Sequence, residues 1–311
     1  MDRYESEDRA DTFIPHAFQE RTIELGEVRL NYVRVGNPNK PALLLIPGQT
    51  ESWWGYEAAL PMLAEHFEVF AVDLRGQGRS SWTPGRYTID NMGSDLVRFI
   101  DLVIRRPTIV SGLSSGGVIS AWLSAYAKPG QIIAAHYEDP PLFGSERKDP
   151  EFMATDGSPF ALWNKYLGDQ WQIGDWSGMK AAAPRELFPW LARFILIPDE
   201  PSQNMKEYDP EWGRATCEGT LMGGCDHARM LSRVKVPVLF THHFNGVDPA
   251  TGREMGAISA ANAQRARELL IGTGNRFDYQ LHPSMGHSMH AQDPALFSRT
   301  LIEWSAALRA R

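Results

Sequence analysis

The chain has 311 residues and a formal net charge of −7, with 43% hydrophobic and 22% charged residues. This composition is that of a soluble globular protein large enough for a complete core, and the acidic balance argues against a surface for nucleic acid or an anionic membrane. Two cysteines are too few for a disulfide framework. Residues 1–20 are polar and lack the apolar region of a secretory signal. We therefore expect an N-terminal arm over 1–20 and a cytoplasmic location.

Strand and helix patterns alternate along the first half of the chain. An alternating stretch around Gly26 predicts a hairpin over 22–35. After it, continuous apolar runs predict buried strands, and apolar residues spaced three and four apart predict helices. The longest apolar run is far too short to cross a bilayer. The predicted strands are 42–46, 67–74, 108–113 and 132–137, and the predicted helices are 56–66, 89–103 and 118–126.

The alternation stops near residue 142 and resumes at a strand over 236–241. A helix over 257–270, a strand over 277–281 and a helix over 297–308 complete the pattern. Buried strands that alternate with helices are typical of a parallel sheet with right-handed crossovers. The sequence therefore predicts a mostly parallel eight-stranded sheet flanked by helices, formed by 21–141 and 231–311. The intervening 142–230, rich in aromatic residues, is predicted to be a helical cap inserted after the sixth strand.

A nucleophile motif lies between a predicted strand and a predicted helix. The run Gly112-Leu113-Ser114-Ser115-Gly116 matches G-x-S-x-G, in which the serine sits on a sharp strand-to-helix turn. Ser114 is therefore the candidate nucleophile, and the Ser115 backbone N–H, at a helix N-terminus, is a candidate oxyanion donor. The alternative is a Gly/Ser-rich loop that matches by coincidence. The strand and helix on either side favour the nucleophile.

Two further loops carry a resemblance to a known family. Asp73-Leu74-Arg75-Gly76-Gln77-Gly78-Arg79-Ser80 resembles the D-x-R-G-x-G-x-S loop of the α/β-hydrolase superfamily, and Ile46-Pro47-Gly48-Gln49 ends the third strand. Superfamily members place the second oxyanion donor at that turn, so the resemblance implies the Gln49 backbone N–H. Many members have His-Gly where this sequence has Pro-Gly. The resemblance implies an α/β-hydrolase fold.

The catalytic base of this superfamily is a late histidine, and three candidates lie close together. They are His282, His287 and His290. His287 lies in a Gly-His-Ser loop between the last predicted strand and the last predicted helix, as in the superfamily. We therefore predict His287 as the base, with His290 as the main alternative.

The acid has two candidate positions. Glu138 follows the sixth predicted strand, and Asp248 follows the seventh at a longer spacing than is usual. We favour Glu138, which would hold one tautomer of His287 and stabilise its imidazolium. The alternative is that Asp139-Pro140 only ends the strand, with Glu138 as a solvated neighbour.

A narrower resemblance concerns the substrate. The elbow at 112–116, Glu138 with Pro140, and the late Gly-His loop resemble zearalenone lactonases, and the bacterial macrolide esterases are a similar group. The resemblance implies a serine carboxylic-ester hydrolase that opens a bulky macrolactone, with a hydrophobic ester or lactone as ligand and no cofactor. The alternatives are a C–C bond hydrolase or thioesterase with the same triad, and a non-catalytic ligand receptor. An Asp at position 114 would have indicated an epoxide hydrolase or a dehalogenase.

Aromatic residues near these motifs are candidate pocket residues. Trp53 and Trp54 follow the oxyanion turn, and Trp190 lies in the predicted cap. We predict that these three contact the substrate, although cap aromatics can equally form the core of the cap. Cys217 and Cys225 do not have the spacing of a zinc site, so no metal is expected.

Overall fold

A mostly parallel eight-stranded sheet forms the centre of the molecule. The computed structural model describes residues 14–143, 202–247 and 254–309, together with Ser177. The main-sheet strands are β1 (Glu20–Glu24), β2 (Arg29–Val35), β3 (Ala42–Ile46), β4 (Glu68–Val72), β5 (Thr108–Leu113), β6 (Ile132–Glu138), β7 (Val238–His242) and β10 (Phe277–Leu281). A separate two-stranded ribbon pairs β8 (Gly246–Val247) with β9 (Glu254–Met255).

The strand order is β1-β2-β4-β3-β5-β6-β7-β10. The hairpin β1–β2 and the β2–β4 pair are antiparallel, and every later pair is parallel. This is the α/β-hydrolase sheet that the sequence predicted. Strands β3, β4 and β5 are buried along their whole length, which explains why their sequences are continuous apolar runs rather than alternating ones.

Helices cover both faces of the sheet. They are α1 (Leu60–Ala64), α2 (Ile89–Phe99), α3 (Ser115–Tyr126), α4 (Gln203–Lys206), α5 (Glu211–Cys217), α6 (His227–Leu231), α7 (Ala260–Gly272), α8 (Met289–Gln292) and α9 (Pro294–Arg309). The predicted helix over 56–66 is shorter than expected, because a 3-10 turn at Trp53–Tyr56 precedes it. The predicted helix over 89–103 continues past α2 as a π-helical turn at Ile100–Ile104, which ends at the left-handed Arg105.

Two apolar layers fix the helices against the sheet. On one face α2 and α3 pack against residues such as Leu44, Val72 and Val110, and on the other α1 and α9 pack against Leu43 and its neighbours. Because all the parallel strands run in one direction, their carboxyl ends share one edge of the sheet. The loops that follow β3, β4, β5, β6, β7 and β10 therefore meet at this edge.

Part of the predicted cap is described, and it packs on the core. In residues 202–231, the indole N–H of Trp212 donates to the Arg75 carbonyl over 2.8 Å, and the Asp209 N–H donates to the Gly76 carbonyl over 2.8 Å. Residues 144–201 lie outside the described residues apart from Ser177, as does most of the predicted arm. The domain boundaries therefore stay predictions. Among the described helices, none combines the length and the apolar character that a bilayer crossing requires.

Candidate active site

Ser114 occupies a strained turn between β5 and α3. Its φ of 55° and ψ of −120° lie in a region that residues other than glycine rarely adopt. The Ser114 N–H donates to the Glu138 carbonyl over 2.8 Å, and its own carbonyl accepts from the Val118 N–H over 3.0 Å. These bonds tie the turn to the neighbouring strand and to the first turn of the helix. The geometry is that of a nucleophile elbow, in which the serine projects beyond the carboxyl edge of the sheet.

The glycines of the motif are required by close backbone approach. A Cβ atom at position 112 would lie 2.1 Å from the Gly116 carbonyl oxygen, and one at position 116 would lie 2.4 Å from the Ile46 carbonyl oxygen. Real Cβ contacts are never that short, so any larger residue would displace α3 from β3 and β5. The glycines thus allow the tight strand–helix packing that holds Ser114 in its strained conformation.

The turn after β3 lies directly beside the nucleophile. A Cβ atom at Gly48 would be 3.4 Å from the Cβ of Ser114. The Gln77 side chain holds this turn with two hydrogen bonds. Its amide N–H donates to the Gly48 carbonyl over 3.2 Å, and its oxygen accepts from the Thr50 N–H over 2.5 Å. The residue between these two contacts is Gln49, whose backbone N–H we predicted as an oxyanion donor. Ser115, the other predicted donor, is the first residue of α3 and is buried.

The loop that supplies Gln77 is itself anchored by a buried carboxylate. Asp73 accepts from the Trp53 N–H over 2.7 Å, the Asn31 side chain over 2.8 Å and the Arg79 N–H over 2.9 Å. Burial raises the pKa of Asp73 to about 7, although these hydrogen bonds act in the opposite direction. The D-x-R-G-x-G-x-S motif therefore has a structural task at the site, which is to hold the oxyanion turn in place.

Residues of the predicted cap also contact the turn after β3. The side-chain amide of Gln49 donates to the hydroxyl of Tyr208 over 2.7 Å, and Ser52 donates a short hydrogen bond to Asn204. Asn204 lies in α4 and Tyr208 just after it, both within the segment predicted as cap. Gln49 is thus supported on one side by the core and on the other by the insertion.

His287 pairs with Asp139. Its Nδ1 lies 2.7 Å from Oδ2 of Asp139, and the other carboxylate oxygen of Asp139 accepts from the His243 N–H over 3.2 Å. The His243 ring in turn contacts the His287 carbonyl, with 2.9 Å between Nδ1 and the oxygen. Asp139 is 2% exposed at its side chain, whereas His287 is 47% exposed. A buried carboxylate therefore orients an imidazole whose other edge is open to a ligand.

The charge of Asp139 changes the acid–base behaviour of His287. Desolvation lowers the pKa of His287, but the hydrogen bond and the negative charge of Asp139 outweigh it, so the pKa is raised above its usual 6.5. A raised pKa makes the imidazole a better proton acceptor, and a carboxylate on Nδ1 stabilises the imidazolium that forms. Asp139 and His287 can thus act together as a general base.

The predicted pairing of Glu138 with His287 is wrong in the structure. Glu138 is the last residue of β6, and its carboxylate contacts the other candidate histidine, with 3.2 Å between Oε2 and Nδ1 of His290. The physical reason is that Glu138 is still in the strand, whereas Asp139 lies beyond it with a left-handed φ of 43°, so the two carboxylates reach different histidines. The acid beside His287 therefore does follow the sixth strand, one residue later than predicted.

Strand register provides a signal that identifies Asp139. Leu113 of β5 pairs with Glu138 of β6, and Ser114 is the first residue beyond Leu113. The residue at the matching position beyond β6 is Asp139, so the two lie at the same height above the sheet edge. We interpreted the Asp139-Pro140 dipeptide only as the end of the strand, because the register of β5 and β6 is visible only in the structure.

The aromatic predictions have different outcomes. Trp53 is 0% exposed, and its indole N–H donates to the Glu20 carboxylate over 2.7 Å. It is therefore a core residue with no surface for a ligand, contrary to our prediction. Trp54 is half-buried, stacked on His16 at 4.7 Å, with Arg79 5.7 Å from its ring centre. Trp190 and the alternative acid Asp248 lie outside the described residues.

No cluster of metal-ligating side chains occurs within the described parts of the chain. Cys225 is buried and its sulfur lies 3.6 Å from that of Met230, and burial raises its thiol pKa to about 12. It is thus part of an apolar layer rather than of a reactive centre.

Comparison with solved structures supports the fold. A hydrolase from Pseudomonas aeruginosa matches with a TM-score of 0.67 and 23% identity, over 93% of this chain and 98% of that one. The enol-lactonase from Burkholderia xenovorans matches with a TM-score of 0.61 and 18% identity, over 92% of this chain and 100% of that one. At these identities the likeness concerns the fold.

Sequence comparison identifies the family. Epoxide hydrolase A of Mycobacterium tuberculosis is 32% identical over 94% of this chain and 98% of its own length. A second relative, 3-oxoadipate enol-lactonase 2 of Acinetobacter baylyi, is 30% identical over 37% of this chain, and that match spans only 44% of the enol-lactonase. The profile described as "Alpha/beta hydrolase family" matches residues 43–300. The chain therefore belongs to the alpha/beta hydrolase family.

Proposed function

We propose that the protein is a serine carboxylic-ester hydrolase that opens the ring of bulky macrolactones, of the zearalenone or macrolide type. The observation that carries the ester-hydrolase proposal is the strained Ser114 elbow, set at the same sheet edge as the Asp139–His287 pair. A serine hydroxyl with a carboxylate-oriented histidine is the usual equipment for acyl transfer.

The proposed reaction has two steps. In the first, His287 removes the Ser114 proton, Ser114 Oγ attacks the ester carbonyl, and backbone N–H groups of Gln49 and Ser115 stabilise the oxyanion. The C–O bond of the ester then breaks, and His287 protonates the leaving alkoxide. In the second, His287 activates water, which cleaves the acyl-enzyme and regenerates Ser114. In a lactone the alkoxide stays attached to the acid, so the product is the substrate plus one water.

The nucleophile argues against an epoxide hydrolase, although a relative of that name spans nearly the whole chain. An alkyl-enzyme ester requires a carboxylate nucleophile, and position 114 carries a serine hydroxyl. The macrolactone part of the proposal rests on the resemblance of the motifs to lactonases and macrolide esterases. The match to an enol-lactonase supports cyclic esters as a substrate class.

The test is mass spectrometry after incubation with zearalenone and with 16-membered macrolides, alongside p-nitrophenyl esters, a thioester and styrene oxide. For the macrolactones we expect a product with the mass of the substrate plus one water, without fragmentation. Ser114→Ala should lower kcat by about 10⁶, and a fluorophosphonate should label only the wild type. Ser124→Ala, which changes a buried serine further along α3, is the matched control and should keep full activity. Turnover by Ser114→Ala, or turnover of the thioester or epoxide alone, would contradict the proposal.

A further inference from the structure

A second histidine, three residues after His287 at the start of α8, lies fully buried between two carboxylates. His290 is 0% exposed, with Nδ1 3.2 Å from Oε2 of Glu138 and Nε2 3.6 Å from Oε2 of Glu51. Its ring stacks on that of Tyr56 with 3.9 Å between centroids. A neutral imidazole has only one N–H, whereas the protonated ring donates from both nitrogens. The nearest partner of Nε2 is the Ser288 hydroxyl, 3.2 Å away, which can accept from it, and the charges of the two flanking carboxylates favour an imidazolium.

Two further histidines, His243 and His287, interact electrostatically with the same carboxylates as His290. Burial lowers the pKa of His290, but Glu138 and Glu51 outweigh it and raise the pKa to about 10. Tyr56, on the adjacent 3-10 turn, has a pKa raised by burial and by the two carboxylates, so it stays neutral. His136, on β6, has its pKa lowered by burial to about 4 and is neutral as well.

The last neighbour, from α9, is apolar. The ring of Phe297 lies 5.5 Å from that of His290, measured between centroids. The carboxylates that compensate the imidazolium are therefore Glu138 and Glu51.

This network joins three parts of the site. Glu51 Oε2 accepts from the Gly48 N–H over 3.2 Å, in the oxyanion turn. Glu138 Oε1 accepts from the Met289 N–H over 2.7 Å, in the loop that carries His287. The Glu138 carbonyl accepts from the Ser114 N–H over 2.8 Å. One chain of contacts thus connects the oxyanion turn, the nucleophile elbow and the base loop.

We propose that Glu51, His290 and Glu138 are positioning residues, an imidazolium held between two carboxylates that fixes the oxyanion turn relative to Ser114 and the His287 loop. The inference rests on the proposed hydrolase function, in which the oxyanion exists only at the transition state. Loss of the network should therefore lower kcat and leave KM nearly unchanged.

Three substitutions separate the contact from the charge. Glu51→Ala removes the acceptor of the Gly48 N–H, and kcat on a p-nitrophenyl ester should fall by at most about 100- to 1,000-fold, the range of a lost oxyanion donor. Glu51→Gln keeps an acceptor oxygen and should recover part of that loss. Glu138→Gln still accepts from the Met289 N–H through its carbonyl oxygen, but its amide donates toward His290 and favours the neutral ring.

Glu138→Gln provides a readout that a purely structural role would not move. In the wild type, kcat should fall on the alkaline side as His290 loses its proton, and in Glu138→Gln this fall should occur at lower pH. Nitrogen-15 NMR of the imidazole should show both His290 nitrogens protonated in the wild type at pH 8. The Gly48 and Gln49 amide signals should shift with the same midpoint as the His290 ring.

Glu68→Gln is the matched control. Glu68 is also a buried carboxylate in a charge network, with Arg34 and Arg106, but it lies at the opposite end of the sheet, where β4 begins. It should lose stability without a change in kcat. Wild-type kcat in Glu51→Ala, an unmoved alkaline limb in Glu138→Gln, or a neutral His290 at pH 8 would overturn the proposal. A wild type that hydrolyses no ester would instead refute the proposed function, since the NMR measurements test the network without turnover.

Discussion

Two histidine–carboxylate pairs lie side by side in this molecule, and their environments differ sharply. Glu138 and Asp139 are consecutive residues, and their partners His290 and His287 belong to one loop three residues apart. The His287 ring is 47% exposed and the His290 ring 0%. An exposed imidazole can exchange a proton with a ligand, whereas a buried one between two carboxylates can only keep its charge. The comparison teaches that burial, not the type of pair, decides which one does chemistry.

The strongest test of this comparison exchanges the two acids for their amides. Asp139→Asn should lower kcat by about 10⁴, the loss seen when the acid of a triad can no longer hold the correct tautomer. Glu138→Gln should cost much less, because His290 transfers no proton in the reaction. Steady-state kinetics on a p-nitrophenyl ester measures both, with circular dichroism to confirm folding. An equal or larger loss in Glu138→Gln would reverse the assignment of the two pairs.

The second test uses stability, where the order of the pairs should invert. His290→Leu leaves the buried carboxylate of Glu138 without its cation, which should lower the free energy of unfolding by about 3–5 kcal/mol. His287→Leu abolishes activity and should cost less stability, because the His287 ring is half exposed and the buried Asp139 keeps its hydrogen bond from the His243 N–H. Urea denaturation at pH 7 provides the values. Similar losses in the two variants would show that burial does not distinguish the pairs.

The third and smallest effect is that activity and stability are lost over different pH ranges. His287 acts as a base only when neutral, and its pKa is raised above 6.5, so kcat/KM should fall on the acid side at a midpoint above 6.5. The raised pKa of His290 contributes stability that is complete below 6.5 and is lost as pH rises through about 10. The depressed pKa of Glu138 contributes stability that is lost as pH falls from 4.5 through about 2. From pH 5 to 10.5, kcat/KM should therefore fall at the acid end while the protein stays folded, whereas kcat and stability should both decline toward the alkaline end. A loss of activity that follows unfolding at both ends would contradict this separation.

The sequence predicted the central strands well because they are largely apolar runs, as in β3, whose five residues are all buried. It also predicted the elbow, because the backbone around Ser114 packs so closely that only glycine fits at positions 112 and 116. The acid was beyond this reasoning, because the choice between Glu138 and Asp139 depends on where the loop with His287 returns to the sheet. That position is set by contacts distant in sequence, such as the one between His243 and the His287 carbonyl.

Trp53 shows the same limit for apolar residues. Its position just past the oxyanion turn suggested a pocket wall, but the hydrogen bond from its indole to Glu20 of β1 draws it into the core. The two partners are 33 residues apart in the sequence, so the local sequence pattern does not indicate their contact. Burial of a large aromatic residue is thus easier to predict than the side of the sheet on which it is buried.

The hydrogen bond between Gln49 and Tyr208 has a consequence for how such enzymes diversify. Tyr208 belongs to the insertion, and Gln49 to the turn beside the nucleophile. A chimera that received a foreign insertion in place of 142–230 would exchange one of the two supports of that turn together with the new binding surface. Replacing this segment should therefore change substrate specificity and the rate of the chemical step together. A functional chimera must place a hydroxyl at the position of Tyr208.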